Sequence, residues 1–106
     1  MIRHVVLYTY RSDISEDIIS NIYKELDEIS SRLKGRISYT WGKYYGYENR
    51  NKNYTHCLVT DFVDDEARDA FIKDQTRIAF SNREVLPRMV GGLDGLISFD
   101  FIWDEK

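Results

Sequence analysis

Ile2-Arg3-His4-Val5-Val6-Leu7-Tyr8-Thr9-Tyr10 opens the chain as a strand that is largely apolar on both sides. Successive strand residues point to opposite faces, so Ile2, His4, Val6, Tyr8 and Tyr10 share one face. Val5 and Leu7, between Arg3 and Thr9, form the other. A strand covered on both faces lies between two layers. Leu96 to Trp103 poses the same problem near the other end of the chain. There Leu96, Ser98, Asp100 and Ile102 make a mixed face, and Ile97, Phe99, Phe101 and Trp103 make a strongly aromatic one. Helices from a 106-residue chain cover only one side of such a sheet, which predicts a homodimer whose sheets pack face to face.

The pattern predicts the order βαββαβ, with the first strand running from Ile2 to Arg11. Ser15 is placed to cap a helix that carries acids in its first turn, with Ile14 set to staple against Ile19. Ile18, Ile22, Leu26, Ile29 and Leu33, joined by Ile19 and Tyr23, recur at helical spacing, and Gly35 sits where a C-terminal cap belongs. Arg36 to Tyr45 reads as a second strand, Gly46 to Asn53 as a polar turn, and Tyr54 to Val63 as a third strand. Asp64-Asp65-Glu66 then caps a second helix with Ala67, Ala70 and Phe71 on its buried edge. A further helical stretch around Ile78 to Leu86 stops near Pro87, and Gly91-Gly92 releases the chain into the last strand. This order predicts an α+β, ferredoxin-like antiparallel sheet with the helices on one face, paired into a dimeric α+β barrel.

Composition narrows the function classes. One domain over residues 1–106 is expected from the length. The apolar runs are too short to span a bilayer, and the N-terminus lacks the pattern of a secretory signal, so a cytoplasmic location is the default. Cys57 is the only cysteine, which rules out an intrachain disulfide and a thiolate metal cluster. Fifteen basic against eighteen acidic side chains give a net charge of -3, which argues against nucleic acid as the main partner. Tyr44 to Asn53 mixes aromatics with basic and amide side chains, but a surface loop accounts for it better.

The first and third strands of a ferredoxin-like sheet are neighbours, so His4, Val6 and Tyr8 are expected to share a face with His56, Leu58 and Thr60. His4 and His56 are then candidate polar groups in a pocket, suited to proton exchange near neutral pH. The same pattern fits core histidines with a ring nitrogen bonded to backbone or tyrosine. No spacing supplies three or four converging metal ligands. Cys57 follows His56 but faces the other way, so the two do not form a nucleophile and base. Arg77 either holds an anion in the pocket or pairs with Asp74 three residues earlier.

Ile2-Arg3-His4-Val5-Val6-Leu7, Trp41-Gly42, Tyr54-Thr55-His56, Phe62 before an acidic helix start, Phe80, and Phe99-Asp100-Phe101 together resemble the stress-responsive A/B barrel (Dabb) domain over nearly the whole chain. The resemblance implies a dimeric α+β barrel with a cavity between sheet and helices. A plant polyketide cyclase of that family works without a cofactor, through a histidine and a tyrosine of the second helical region. Here Arg77 stands at the position matching the histidine and Phe71 at that matching the tyrosine. Leu26 corresponds to a second cavity tyrosine, while His4 and His56 match cavity histidines. The expected cavity set is therefore His4, Val6, Tyr8, His56, Leu58, Phe71, Arg77 and Phe80, with no cofactor. The first functional expectation is a homodimer binding a small apolar or aromatic ligand. The second is a cofactor-independent enzyme acting on an aromatic or polyketide-like substrate through His4 or His56, and the third is a structural partner without pocket chemistry.

Overall fold

A computed structural model describes residues 1–104. Four strands, β1 (Ile2–Tyr8), β2 (Arg36–Lys43), β3 (His56–Phe62) and β4 (Leu96–Ile102), form one antiparallel sheet in the order β2-β3-β1-β4. The helices are α1 (Glu16–Ser31), α2 (Asp65–Lys73) and α3 (Gln75–Phe80). This is the ferredoxin-like arrangement that the element order predicts. Among the described residues no helix is long and apolar enough to cross a membrane.

Local chemistry explains where the elements begin. The Ser15 hydroxyl accepts from the Ile18 N–H and the Asp64 carboxylate accepts from the Ala67 N–H, so both predicted caps are in place. Asp74 caps α3 in the same way through the Arg77 N–H, which starts that helix before Ile78. α3 then widens into a π-type turn over Ser81–Val85 and tightens into a 3₁₀ turn at Leu86–Arg88 around Pro87. Gly35 lies at φ +93°, and a Cβ there would sit 2.6 Å from the Ala67 Cβ. The chain therefore leaves α1 through a position that suits glycine on both counts.

Several ends fall short of the sequence pattern. β1 stops at Tyr8 rather than Arg11, because the next backbone groups turn to another segment. The Thr9 N–H donates to the Gly95 carbonyl, the Arg11 N–H to the Arg88 carbonyl, and Tyr10 bridges Met89. α1 ends at Ser31, where the Leu33 N–H closes a tighter turn on the Ser30 carbonyl. Ala70 is exposed, so the buried edge of α2 rests on Ala67 and Phe71 alone.

The helices cover the even-numbered face of β1. Tyr8, Tyr10, Ile19, Ile22, Tyr23, Leu26, Leu58, Phe80, Val85 and Met89 make the larger core cluster, and Ile2, Phe62, Ala67 and Phe71 the smaller. Tyr23 lies flat on Trp41 at 4.5 Å between ring centroids and meets Tyr8 edge-on at 5.4 Å. Among the described residues nothing covers the opposite face. Strand register sets Val5 beside Val59 and Phe99, and Leu7 beside Cys57 and Ile97. Phe99 is 64% exposed, Ile97 42% and Phe101 41%. One end of this face is polar: Arg3 grips both oxygens of Asp61, Ser38 donates to the same carboxylate, and Trp103 lies 4.6 Å from the Arg3 guanidinium carbon.

Candidate functional site

A cavity of about 360 Å³ opens between the helix-covered face of the sheet and the α2–α3 region. That volume suits a small molecule. β1 contributes His4, Val6 and Tyr8, and β3 contributes Leu58. α1 adds Leu26, the end of α2 adds Phe71 and Ile72, and Arg77 enters from α3. Ser81 and Val85 come from the π-type turn, a distortion that often marks functional sites. Leu93, Leu96 and Ser98 close the remaining side. Six of the eight residues expected from sequence thus border one space: His4, Val6, Tyr8, Leu58, Phe71 and Arg77.

His56 and Phe80 do not join them. Antiparallel register sets His4 opposite Thr60 and His56 opposite Tyr8. The two histidines share a face, as expected, but are separated by four residues along the strands, about 13 Å. His56 is instead bound at both ring nitrogens, Nδ1 to the Thr55 hydroxyl at 2.8 Å and Nε2 to Glu16 at 3.1 Å. It ties the first turn of α1 to the sheet, and its contact lowers the Glu16 carboxyl below the usual carboxylate range. Phe80 is spent in the main core, 1% exposed, with the Arg83 guanidinium above its ring.

His4 is held differently. Its Nδ1 lies 2.5 Å from Asp100 Oδ1, because His4 and Asp100 are cross-strand neighbours on the same face. The other Asp100 oxygen accepts from Arg68 Nη1 at 2.7 Å, and Arg68 Nε reaches Asp69. These two hydrogen bonds raise the Arg68 pKa further. Phe71 meets the imidazole edge-on, with ring centroids 5.8 Å apart. His4 Nε2 makes no hydrogen bond among the described residues. A carboxylate accepting at Nδ1 fixes the tautomer and leaves the Nε2 lone pair as what the ring offers the cavity it lines.

Arg77 does not pair with the Asp74 carboxylate in the manner expected of an i, i-3 pair. Asp74 is taken by Arg32, just past the end of α1, at 2.5 Å. Arg77 turns inward and donates from Nε to the Phe71 carbonyl and from Nη2 to the Ile72 carbonyl. Its guanidinium carbon lies 5.2 Å from the centre of the Phe71 ring. Burial lowers its pKa, and among the described residues no carboxylate forms an ion pair with its guanidinium. Burial also pushes the Tyr8 hydroxyl well above its usual range, partly opposed by the Arg77 charge. The cavity therefore combines apolar walls with one cation and one hydrogen-bond-accepting imidazole.

Asp100, Ser81, Ser98, Leu93 and Val85 border or support this site without having been among the expected residues. The parity of β4 already places Asp100 and Ser98 on its mixed face, but only the β1–β4 register brings Asp100 to His4. Among the described residues no three histidine, cysteine, aspartate or glutamate side chains gather as a metal site.

The profile of the stress responsive A/B barrel domain, Dabb, matches residues 2–102. The chain belongs to this family. A stress-response A/B barrel domain-containing protein of Arabidopsis thaliana, HS1, is 23% identical over 100 residues, covering 94% of this chain and 87% of the plant protein. The A/B barrel chain also superposes on a dimeric ferredoxin-like protein from Jannaschia sp. with a TM-score of 0.84. That pair is 20% identical and covers 96% of this chain and 98% of the other. A hydroxynitrile lyase from Passiflora edulis gives a TM-score of 0.79 at 20% identity, over 99% of this chain and 94% of the lyase. At these identities the likeness establishes the fold, and fold alone does not carry an activity across.

Proposed function

We propose that this A/B barrel domain is a cytoplasmic homodimer that binds a small apolar or aromatic molecule bearing an anionic group in the cavity lined by His4 and Arg77. The observation that carries this reading is the Arg77 guanidinium, turned into an apolar cavity and held by backbone carbonyls rather than by a carboxylate. A carboxylate or phenolate on an aromatic ring satisfies such a cation while the ring packs against Tyr8, Leu26, Leu58 and Phe71. Pairing through the open sheet face covers Phe99, Ile97 and Phe101, and the dimeric Jannaschia protein of the same fold supports that assembly. Thermal unfolding with benzoate and with methyl benzoate tests the binding. Benzoate should raise the melting temperature in a saturable way and lose its effect in Arg77→Met. Equal stabilisation by both compounds, or no loss in the variant, counts against it.

A second reading is supported by the His4–Asp100 pair: cofactor-independent catalysis with His4 as the base. The hydroxynitrile lyase neighbour supports the capacity of this fold for enzymatic chemistry. His56 is poorly suited to that role because both its ring nitrogens are engaged. Turnover of a candidate substrate that survives His4→Ala unchanged would eliminate this mechanism.

A further inference from the structure

The open face of the sheet, on the side away from the cavity, is asymmetric in two directions. Register aligns its side chains in three rows, and in those rows the β2 edge presents Ser38, Thr40 and Gly42 while the β4 edge presents Phe101, Phe99 and Ile97. One edge is therefore built of small residues and the other of large apolar ones. A Cβ on Gly42 would meet nothing within 4 Å, and a hollow of about 280 Å³ opens there beside Leu7, Cys57, Tyr44 and Tyr54. The second asymmetry runs along the strands. The row of Ser38 and Phe101 contains the Arg3–Asp61 ion pair, whereas Val5 and Val59 fill the middle row and Leu7 and Cys57 the last.

A two-fold axis that sets two such faces together lies between them and runs either across the strands or along them. Across the strands, each strand lies over its own copy. Phe99 then meets Phe99, the small edges face each other over a void, and the ion pair of one copy is buried against Leu7 and Cys57 of the other. Unfilled space and a charge pair facing apolar side chains are both costly. Along the strands, the order of the strands reverses and the rows are kept. Large residues then fill the small edge, and each ion pair faces the other copy's. We propose that two copies pair about an axis along the strands, so that β4 of each lies over β2 of the other and Ile97 fills the hollow above Gly42. This rests on the homodimer reading and specifies how the copies meet. The usual angle of about 30° between packed sheets shifts these edge contacts by about half a row. Both cavities lie on the far sides of the paired sheets and stay independent of the interface.

Single-cysteine chains distinguish the two axes. In a Cys57→Ser background, Thr40→Cys and Phe99→Cys are treated, separately and as an equimolar mixture, with a short bis-maleimide able to cross the gap of about 10 Å between packed sheets. The mixture should yield a covalent dimer on a denaturing gel, and neither variant should do so alone. Covalent dimers from each variant alone would overturn the arrangement while leaving the homodimer standing. A dimer by light scattering that crosslinks in none of the three samples would also overturn it. An unsubstituted chain that is monomeric by light scattering would remove the homodimer and this arrangement together. A second measurement keeps Phe99 intact. Gly42→Leu should weaken self-association about tenfold or more, and Ile97→Ala in the same chain should restore most of the loss, because the two positions meet across the interface. Additive losses from the two substitutions in sedimentation velocity would contradict the proposal.

Discussion

Replacing Phe99 with aspartate should abolish self-association. Phe99 is 64% exposed on the uncovered sheet face, and an aromatic side chain offers roughly 200 Å² to bury. About 130 Å² therefore remains in water, equivalent to about 3 kcal/mol at about 25 cal/mol per Å². A two-fold interface uses the residue twice, which sets a ceiling of about 6 kcal/mol per dimer for complete burial. Half of that ceiling, at about 1.4 kcal/mol per tenfold, still weakens the dimer about 100-fold, before the cost of desolvating two carboxylates is added. Sedimentation velocity across a dilution series measures the effect directly. Ile102, 75% exposed on the same edge strand, serves as the control, because its strand parity directs it to the helix side. Ile102→Asp should leave the dissociation constant within a few-fold of the original. The reasoning is refuted if Phe99→Asp associates as tightly as the unsubstituted chain, or if Ile102→Asp is the variant that dissociates.

Three further outcomes follow from local structure. Asp64→Ala removes the cap on α2 and should cost about 1 kcal/mol in urea unfolding, with the slope of the transition unchanged. Gly35→Ala combines a φ of +93° with a Cβ 2.6 Å from that of Ala67, so it should cost roughly 1–3 kcal/mol by the same assay. The Asp61 pKa is lowered by the hydrogen bonds from Arg3, and that of Glu16 by the one from His56. A depressed folded-state pKa contributes stability above the unfolded value that is lost as pH falls through the folded one. Stability should therefore decline below the ordinary carboxylate range, near pH 4, and Asp61→Asn should make that decline shallower in pH-dependent urea melts.

What the sequence reveals and what it conceals divide along the range of the interactions. Ser15 and Asp64 are legible as caps because each bonds an N–H three residues away. The double-sided strand is legible because parity along β1 and β4 is a local property, and it correctly separates His4, Val6 and Tyr8 from Val5 and Leu7. Contacts set by register or by distant helices are not. Asp100 belongs to the site because β4 aligns with β1 so that it falls beside His4, across 96 residues of chain. The Arg77 guanidinium does not pair with Asp74, whose carboxylate is instead engaged by Arg32, 42 residues earlier, and by the Arg77 N–H. His56 shares the predicted face yet lies at its far end, where Glu16 engages it. The π-type turn at Ser81–Val85 interrupts what reads as a plain helix.

The most direct test of the central claim is a crystal structure of the protein soaked with a halogen-labelled benzoate, whose anomalous signal fixes the orientation of the ring. The account predicts the carboxylate within hydrogen-bonding distance of Arg77 and the ring against Tyr8 and Leu58, with the Val5, Leu7 and Phe99 face packed on a second copy. A cavity collapsed onto its own side chains, with the compound absent or held only on the surface, would contradict it.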